Sequence, residues 1–476
     1  MKQYDDYQVV AQKWIDEIPE HWDFYRIKRI FAQRVEKNDP VITENILSLT
    51  AKQGVVPIAE KEGAGGNKPK GDMTQYNVAR PDDLLVNCMN IVSGSAGVSR
   101  YFGAISPVYY ALYPRLDCNV WYYHYLFRLM PFQRSLLGLG KGILMHESDS
   151  GKLNTVRMRI SMDYLGNVPL PVPPRAEQDQ IVRYLDWQVS KINRLIAAKK
   201  RQINTLTEYR KAKIDQIILH GDAHSSQKDS GIWWLRDIPQ SWQVLPLKRI
   251  CQVNASVTNV AKHLSDDEML TFLPMESVST KGIVNYSEKR RLADVRSGYS
   301  SFAKNDVVIA KITPCFENGK GACLDAMGTD IGYGTTEFIN LRATDRILPR
   351  YLYMITMTQP FRKLGEEVMT GSAGQKRVPI EFIKGFSVGI PPINEQTRLL
   401  SLLNDITMRI DSQMESYNKS IISLQELRTR LISDVITGQI DVRDVEIPDF
   451  EYSPETDDNG EDVDEEESDD MAEEEV

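Results

Sequence analysis

Two stretches of the chain place apolar residues at alternating intervals of three and four, the pattern of a helix with one buried stripe. In the first, Val182, Leu185, Val189, Ile192, Ile196, Ile203, Leu206 and Ile217 fall on the stripe. In the second, Leu400, Leu403, Ile410, Met414, Tyr417, Ile421, Leu424, Leu431 and Val435 do so. Arginine interrupts both stripes at the same relative position, Arg210 and Arg428. Each stretch is opened by Pro-Pro-x-x-Glu-Gln, at 173–178 and 391–396, and followed by a glycine, Gly221 or Gly438. Proline suits the start of a helix, glutamate in the first turn complements the helix dipole, and glycine ends a helix without strain. About forty residues at ~1.5 Å each make a rod of about 60 Å, more than a small domain can cover. The stripes are therefore expected to bury against each other. The pairing residues would be Val182, Leu185, Val189, Ile192, Ile203 and Leu206 on one helix. On the other they would be Leu400, Leu403, Ile410, Ile421, Leu424 and Leu431.

The rest of the chain shares this duplication. Trp14-Ile-Asp-Glu-Ile18-Pro19-Glu-His-Trp22, followed by Lys28-Arg29-Ile30, returns as Trp234-Leu-Arg-Asp-Ile238-Pro239-Gln-Ser-Trp242 and Lys248-Arg249-Ile250, an offset of 220. The Pro-Pro-x-x-Glu-Gln element recurs at an offset of 218, in the same order. Periods of this length exceed those of solenoids, about 20–50 residues, and indicate two copies of a whole module. Between the helical stretches lie two segments with mixed α/β patterning. Strand-like runs stand at Leu84–Asn87, Val108–Leu112, Val307–Ala310 and Phe338–Leu341. Asp83-Leu-Leu-Val-Asn is echoed by Asp306-Val-Val-Ile-Ala, and Ser106-Pro-Val-Tyr109 by Thr335-Thr-Glu-Phe338. Arg159-Ile160 matches Arg377-Val378, again 218 apart. The framework is alike and the loops differ, which is where binding specificity would reside.

The chain is long enough, at 476 residues, for several domains. It has no apolar run of the ~18–20 residues that a membrane-spanning helix needs, and no leader for secretion is apparent. Five scattered cysteines (88, 118, 251, 315 and 323) suit free thiols in a reducing cytoplasm better than a disulfide scaffold. Overall charge is −9, but the 33 residues from Asp444 to Val476 carry 18 acidic side chains and no Lys or Arg. Residues 1–443 hold 57 basic against 48 acidic groups, a net +9. A basic body admits nucleic acid as a partner. The acidic end is too charged to build a core and is expected to be disordered. There is no Gly-x-x-x-x-Gly-Lys-Ser/Thr loop, no Asn/Asp-Pro-Pro-Tyr motif and no zinc-ligand spacing. The six histidines are dispersed, and His21 beside Trp22 reads as a surface or packing residue. No catalytic or metal site is expected.

Two modules, each followed by Pro-Pro-x-x-Glu-Gln and a long heptad helix, resemble the specificity subunit of type I restriction–modification enzymes. Ile-Pro-x-x-Trp at each module start, Leu47-Ser-Leu-Thr-Ala-Lys52-Gln-Gly-Val-Val and Gly371-Ser-Ala-Gly-Gln-Lys-Arg377-Val-Pro add to the likeness, which covers residues 14 to 440. The acidic tail is outside it. The resemblance implies an α+β fold with two mixed α/β target-recognition domains in tandem, at opposite ends of two long antiparallel coiled-coil helices related by a pseudo-twofold axis. The expected divisions are 1–175, a helix over 176–221, 222–392, a helix over 393–440, and a disordered tail over 441–476. It further implies a non-catalytic subunit in the cytoplasm that reads a bipartite site on double-stranded DNA. Two copies of a DNA adenine methylase subunit and a restriction translocase would be its partners. S-adenosylmethionine, and ATP with Mg, would be bound by those partners, with no cofactor in this chain. A coiled-coil scaffold binding other proteins is the alternative.

Reading DNA requires Lys and Arg for phosphates and polar side chains for base edges. In the first module Lys68, Lys70, Arg100, Lys152, Asn154, Arg157 and Arg159 qualify. In the second, Lys281, Lys289, Arg290, Lys311, Lys320, Gln375, Lys376 and Arg377 do. The stretches 152–159 and 375–377 rank highest because they occupy equivalent places in the repeat. Arg377 has a second reading as a structural residue paired with a carboxylate at the helix junction.

Overall fold

A computed structural model describes residues 2–50, 54–61, 71–142, 146–147, 153–154, 158–222, 226–372 and 374–454; at 141–142, 146–147, 153–154 and 158 it describes the backbone alone. The chain divides into two compact units, Met1–Lys200 with Asn418–Val476, and Arg201–Tyr417. The division cuts through both long helices, Arg175–His220 and Ile393–Ile436, so each unit holds one module and parts of both helices. The sequence divisions treat the helices as segments of their own. Packing instead joins them to the modules.

The first unit is built on a four-stranded antiparallel sheet in the order Phe31–Gln33, Tyr109–Pro114, Leu84–Asn87, Ala96–Val98. The second repeats it as Cys251–Val253, Phe338–Ala343, Val307–Ala310, Gly321–Cys323. Even the register agrees: Tyr109 faces Asn87 as Phe338 faces Ala310, and Leu112 faces Leu84 as Leu341 faces Val307. The continuous apolar runs Leu84–Val86 and Val307–Ala310 are fully buried, as a strand covered on both faces must be. Each module also pairs the strand after its Ile-Pro-x-x-Trp with the strand that leads into its Pro-Pro segment, Asp23–Arg26 with Pro169–Val172 and Gln243–Pro246 with Ser387–Ile390. The second unit has a further sheet in the order Lys289–Arg291, Met269–Leu273, Ile331–Gly334, Ser300–Ala303, including one parallel pair. In the first unit the matching stretch forms two pairs, Leu47–Thr50 with Gly54–Pro57 and Gly103–Ile105 with Asn77–Ala79, joined by a parallel bridge from Ile46 to Ala104.

The repeated motifs are the joints between module and helix. Gln178 and Gln396 have no exposed surface. Gln178 Nε2 donates to the Pro173 carbonyl at 2.7 Å, and its Oε1 accepts from Asn119 N at 2.8 Å. Gln396 does the same with the Pro391 carbonyl at 2.9 Å and Leu348 N at 2.8 Å. A buried amide with both ends satisfied fixes the angle at which the helix leaves its module. At the other end, Gly438 (φ +75°) and Gly221 (φ +73°) take the left-handed conformation. A Cβ on Gly438 would lie 2.4 Å from Pro19 and 3.0 Å from Trp22; on Gly221 it would lie 3.0 Å from Pro239 and 3.2 Å from Trp242. Ile-Pro-x-x-Trp is thus the seat for a helix end. Tyr122 and Tyr351 complete it, donating to the Ile436 and Ile218 carbonyls, each at 2.8 Å, which have no partner further along the helix.

The residues named for helix pairing are buried to different degrees. Val182, Leu185, Val189, Ile192, Leu403, Ile410, Ile421 and Leu431 are buried, while Ile203, Leu206, Leu400 and Leu424 are half-buried. Near the start of the second helix the fully buried residue is Leu399, three positions after Gln396, with Leu400 beside it. In the second unit Ile214, Ile217, Ile218 and Leu219 share one core with Leu399 and Leu403, and Arg210 lies 3.2 Å from Asp411. In the first unit Arg428 donates to Asn193 Oδ1 at 2.9 Å. Rising numbers on one helix meet falling numbers on the other, so the pair is antiparallel. Arg210–Asp411 and Arg428–Asn193 are the same contact under the 218-residue offset.

One expectation fails. Residues 441–454, assigned to the acidic tail, lie on the first unit. Asp441 N donates to the Lys2 carbonyl, and Val442 is fully buried. Gln180 Nε2 donates to the carbonyls of Val442 and Val445, Asn193 Nδ2 to that of Ser453, and Ser190 Oγ accepts from Ser453 N. The strap binds largely through its backbone, with Asp441 and Asp444 also paired to Lys2, and the Asp444 and Glu451 side chains are 83% and 90% exposed. Charge counting therefore does not detect it. Residues 455–476 lie outside the described part.

Candidate nucleic-acid interface

In the second unit the sequence candidates fall into two groups. Lys311, Lys320, Gln375, Lys376 and Arg377 converge where the buried strand Val307–Ala310 leaves its sheet. Ala310 N donates to the Lys320 carbonyl, Lys311 N to that of Glu337, and Val378 N to that of Lys311, each at 2.9 Å. Ile312 and Thr370 both bridge to Arg377. Lys376 and Gln375 are exposed, Lys311 and Lys320 half-exposed. The turn that carries Lys376 is held by Thr313, whose Oγ1 accepts from Lys376 N at 3.1 Å and donates to the Gly374 carbonyl at 3.2 Å.

Arg377 is not a free cation. Its Nε and Nη2 grip Glu337 at 3.0 and 2.8 Å, a forked pair that holds the Glu337 carboxyl below the usual carboxylate range. The structural reading of Arg377 is therefore the one observed, and its partner comes from the turn before Phe338 rather than from the helix junction.

The second group stands on the additional sheet. Lys281 and Lys289 are exposed. Arg290 stacks on Phe272 at 3.6 Å and pairs with Glu288 at 2.7 Å, which occupies its charge. The two groups share no hydrogen bond or ion pair among the described residues.

The first unit offers a thinner picture. Lys68, Lys70, Lys152 and Arg157 lie outside the described residues, and only the backbone of Asn154 is described. Arg159 is exposed and follows the same path as Arg377: Ile160 N donates to the Cys88 carbonyl and Cys88 N to that of Val108, both at 3.0 Å. Cys88 and Val108 thus stand where Lys311 and Glu337 stand in the second unit. Arg100 is exposed beside the Trp121 ring, at 5.3 Å.

Glu177 and Asp83 were not on the sequence's list and prove to be structural centres. Glu177, 6% exposed, accepts from Tyr4 Oη, from His21 Nε2 at 2.8 Å and from Trp22 Nε1 at 3.0 Å. His21 is thus a packing residue with a defined bond. Asp83 holds Arg34 by two bonds, and Asp306 holds Arg342 likewise, at the head of equivalent strands. Their occurrence at the same place in both copies of the repeat is the signal that could have found them. Among the described residues no group of three His, Cys, Asp or Glu side chains could hold a metal ion, and no helix is long and apolar enough to cross a membrane.

No family model matches the chain. Curated relatives do. The type I restriction enzyme EcoAI specificity subunit of Escherichia coli is 36% identical over 206 residues, 43% of this chain and 34% of the relative. The EcoEI specificity subunit of Escherichia coli is 31% identical over the same shares. The match thus spans about a third of the length of these relatives. Among solved structures, a chain from a type I R-M system superposes with a TM-score of 0.62 at 11% identity, covering 89% of this chain and 99% of that one. The HsdS subunit from Thermoanaerobacter tengcongensis gives 0.51 at 11% identity, covering 89% and 98%. The fold is that of HsdS subunits. The resemblance drawn from the repeat stands, in sequence with type I specificity subunits and in fold with HsdS.

Proposed function

We propose that this chain is a non-catalytic subunit that recognises double-stranded DNA for a type I restriction–modification complex in the cytoplasm, each module reading one half of a bipartite target. The observation that carries this reading is the contrast within the repeat. Each helix is joined to its module by the same two glutamine bonds, while the edge differs: Lys311 stands where the first module has the buried Cys88, and Gln375 and Lys376 stand where its sequence has Arg157 and Met158. A constant frame with a varied basic edge suits two different half-sites on one polyanion. The relatives and the fold support it.

Methylation and cleavage would then belong to partners: two methylase copies, matching the internal repeat, and a restriction translocase. S-adenosylmethionine, and ATP with Mg, would bind there. The test is duplex binding by the full chain across a salt series. Phosphate neutralisation gives a log affinity that falls linearly with log salt, by about 0.9 per phosphate contact. Binding that shows no salt dependence would favour a protein-binding scaffold.

A further inference from the structure

The pair Arg377–Glu337 stands inside the basic edge yet is closed on itself, which raises the question of what it does there. Its backbone is tied on both sides. Arg377 N donates to the Thr370 carbonyl at 2.8 Å, and Thr370 N to that of Arg377 at 3.1 Å. Thr313 N donates to the Lys376 carbonyl at 3.0 Å, and Thr313 Oγ1 receives Lys376 N in return. Glu337 is anchored independently, since Lys311 N donates to its carbonyl and Phe338 beside it is buried in the sheet. A guanidinium forked onto a carboxylate has its planar donor edge already in use. It is a poor phosphate ligand and a good brace.

We propose that Arg377 is a positioning residue. Through Glu337, and with Thr313, it sets the turn Gly374–Lys376 so that Gln375 and Lys376 meet the duplex, with Lys311 and Lys320 as neighbouring phosphate contacts. The inference rests on the DNA-recognition reading above. It reverses the weight that position in the repeat gave to Arg377. Val108 occupies the place of Glu337 in the first module, so the matching pair with Arg159 does not form there among the described residues. The equivalent arginines therefore have different neighbours: Arg159 lies against Cys88 and Tyr110, and Arg377 is forked onto Glu337.

Electrostatics gives the two roles opposite signs. If Arg377 were a phosphate contact weakened by its neighbour, Glu337→Gln would release it, remove a negative charge beside DNA and tighten binding. A brace predicts the reverse. The full-length protein is used to enrich a duplex from a randomised pool, and affinity for that duplex is then measured across a salt series. Glu337→Gln and Arg377→Gln should each weaken binding roughly tenfold, and the double variant should be no worse than either alone. Lys376→Gln should reduce the salt slope by about 0.9, and Arg377→Gln should reduce it by no more than that, because the brace acts through the same contact. Discrimination at the half-site read by the first module should be unaffected, which a general loss of structure would not allow. Thr313→Val, which touches no charge, should weaken binding in the same way and serves if the charge variants fold poorly. Tighter or unchanged binding by Glu337→Gln, a salt slope that Arg377→Gln lowers further when Lys376 is already glutamine, or Thr313→Val binding like wild type would overturn the brace. A pool from which wild type enriches nothing would reject the recognition reading itself.

Discussion

The two units solve the same joint with different thoroughness. In the first, Glu177 gathers Tyr4, His21 and Trp22 around the start of the long helix, and the chain terminus returns to cover the same side. There Arg443 lies over the Tyr4 ring at 4.8 Å and pairs with Asp441 at 2.9 Å. In the second, the equivalent Glu395 is met by Ser241 at 3.5 Å and by its own Arg398 at 3.8 Å. The indole Nε1 of Trp242 is buried with no partner among the described residues. The first unit is assembled from two separate stretches of chain, and no disulfide joins them. The second is one continuous stretch. Extra hydrogen bonds sit where the chain is interrupted.

Removing residues 439–476 should break this contrast most severely. The strap buries Val442, and burying a valine fully is worth about 1.5–3 kcal/mol before the bonds to Gln180, Ser190 and Asn193 are counted. Hydrogen exchange should show the first unit losing protection while Arg201–Tyr417 keeps most of its own. Removing only 455–476 should leave protection unchanged in both. It should also strengthen binding to random duplex several-fold at low salt, if the acidic residues compete for phosphate sites, with the gain fading as salt rises.

A smaller change sharpens the comparison. Trp22→Phe removes a donor from buried Glu177, whereas Trp242→Phe removes an indole whose N–H has no partner among the described residues. Denaturant unfolding should therefore give a loss of roughly 2–3 kcal/mol for the first and nearer 1 kcal/mol for the second. Equal losses would mean that the Glu177 cluster adds no stability.

Acidification should separate the units by a still smaller amount. His124, half-buried on the helix Val120–Phe127, has its Nδ1 buried without a partner, and burial pulls its pKa down to about 3. Tyr353 holds the matching place on the helix Pro349–Met357 of the second unit. A histidine held neutral when folded takes up a proton more readily when unfolded. Its contribution is complete above the unfolded pKa of about 6.5 and is lost as pH falls from there towards 3. From pH 7 to 5 the first unit should lose up to about 2 kcal/mol by this route, and His124→Phe should abolish the difference.

Most of the frame was legible before the structure, because duplication makes weak patterns strong. Asp83 with Asp306, and Tyr109 with Phe338, fell on equivalent strands in identical register. What escaped was polar. The role of Gln178 and Gln396 depends on burial, and hydropathy counts a buried amide as surface. For the same reason the stripe of the second helix was read through Leu400 when its fully buried member is Leu399, in step with Gln396. The strap escaped because much of its hold is through carbonyls and a buried valine, which a count of charges does not register. Arg377 escaped in part because the repeat marks a position without saying whether a partner is present. Glu337 could be read as that partner only once the strand pairing was known.

The central claim is that two copies of one frame read two different sequences. Enrichment of a randomised duplex pool by the full-length protein tests it most directly, with the sequence of the bound fraction as the readout. The account predicts two short, dissimilar motifs at a fixed separation, and that Lys311→Gln with Lys376→Gln blurs one of them while the other stays sharp. A single uninterrupted motif, or two motifs blurred together by those changes, would contradict it.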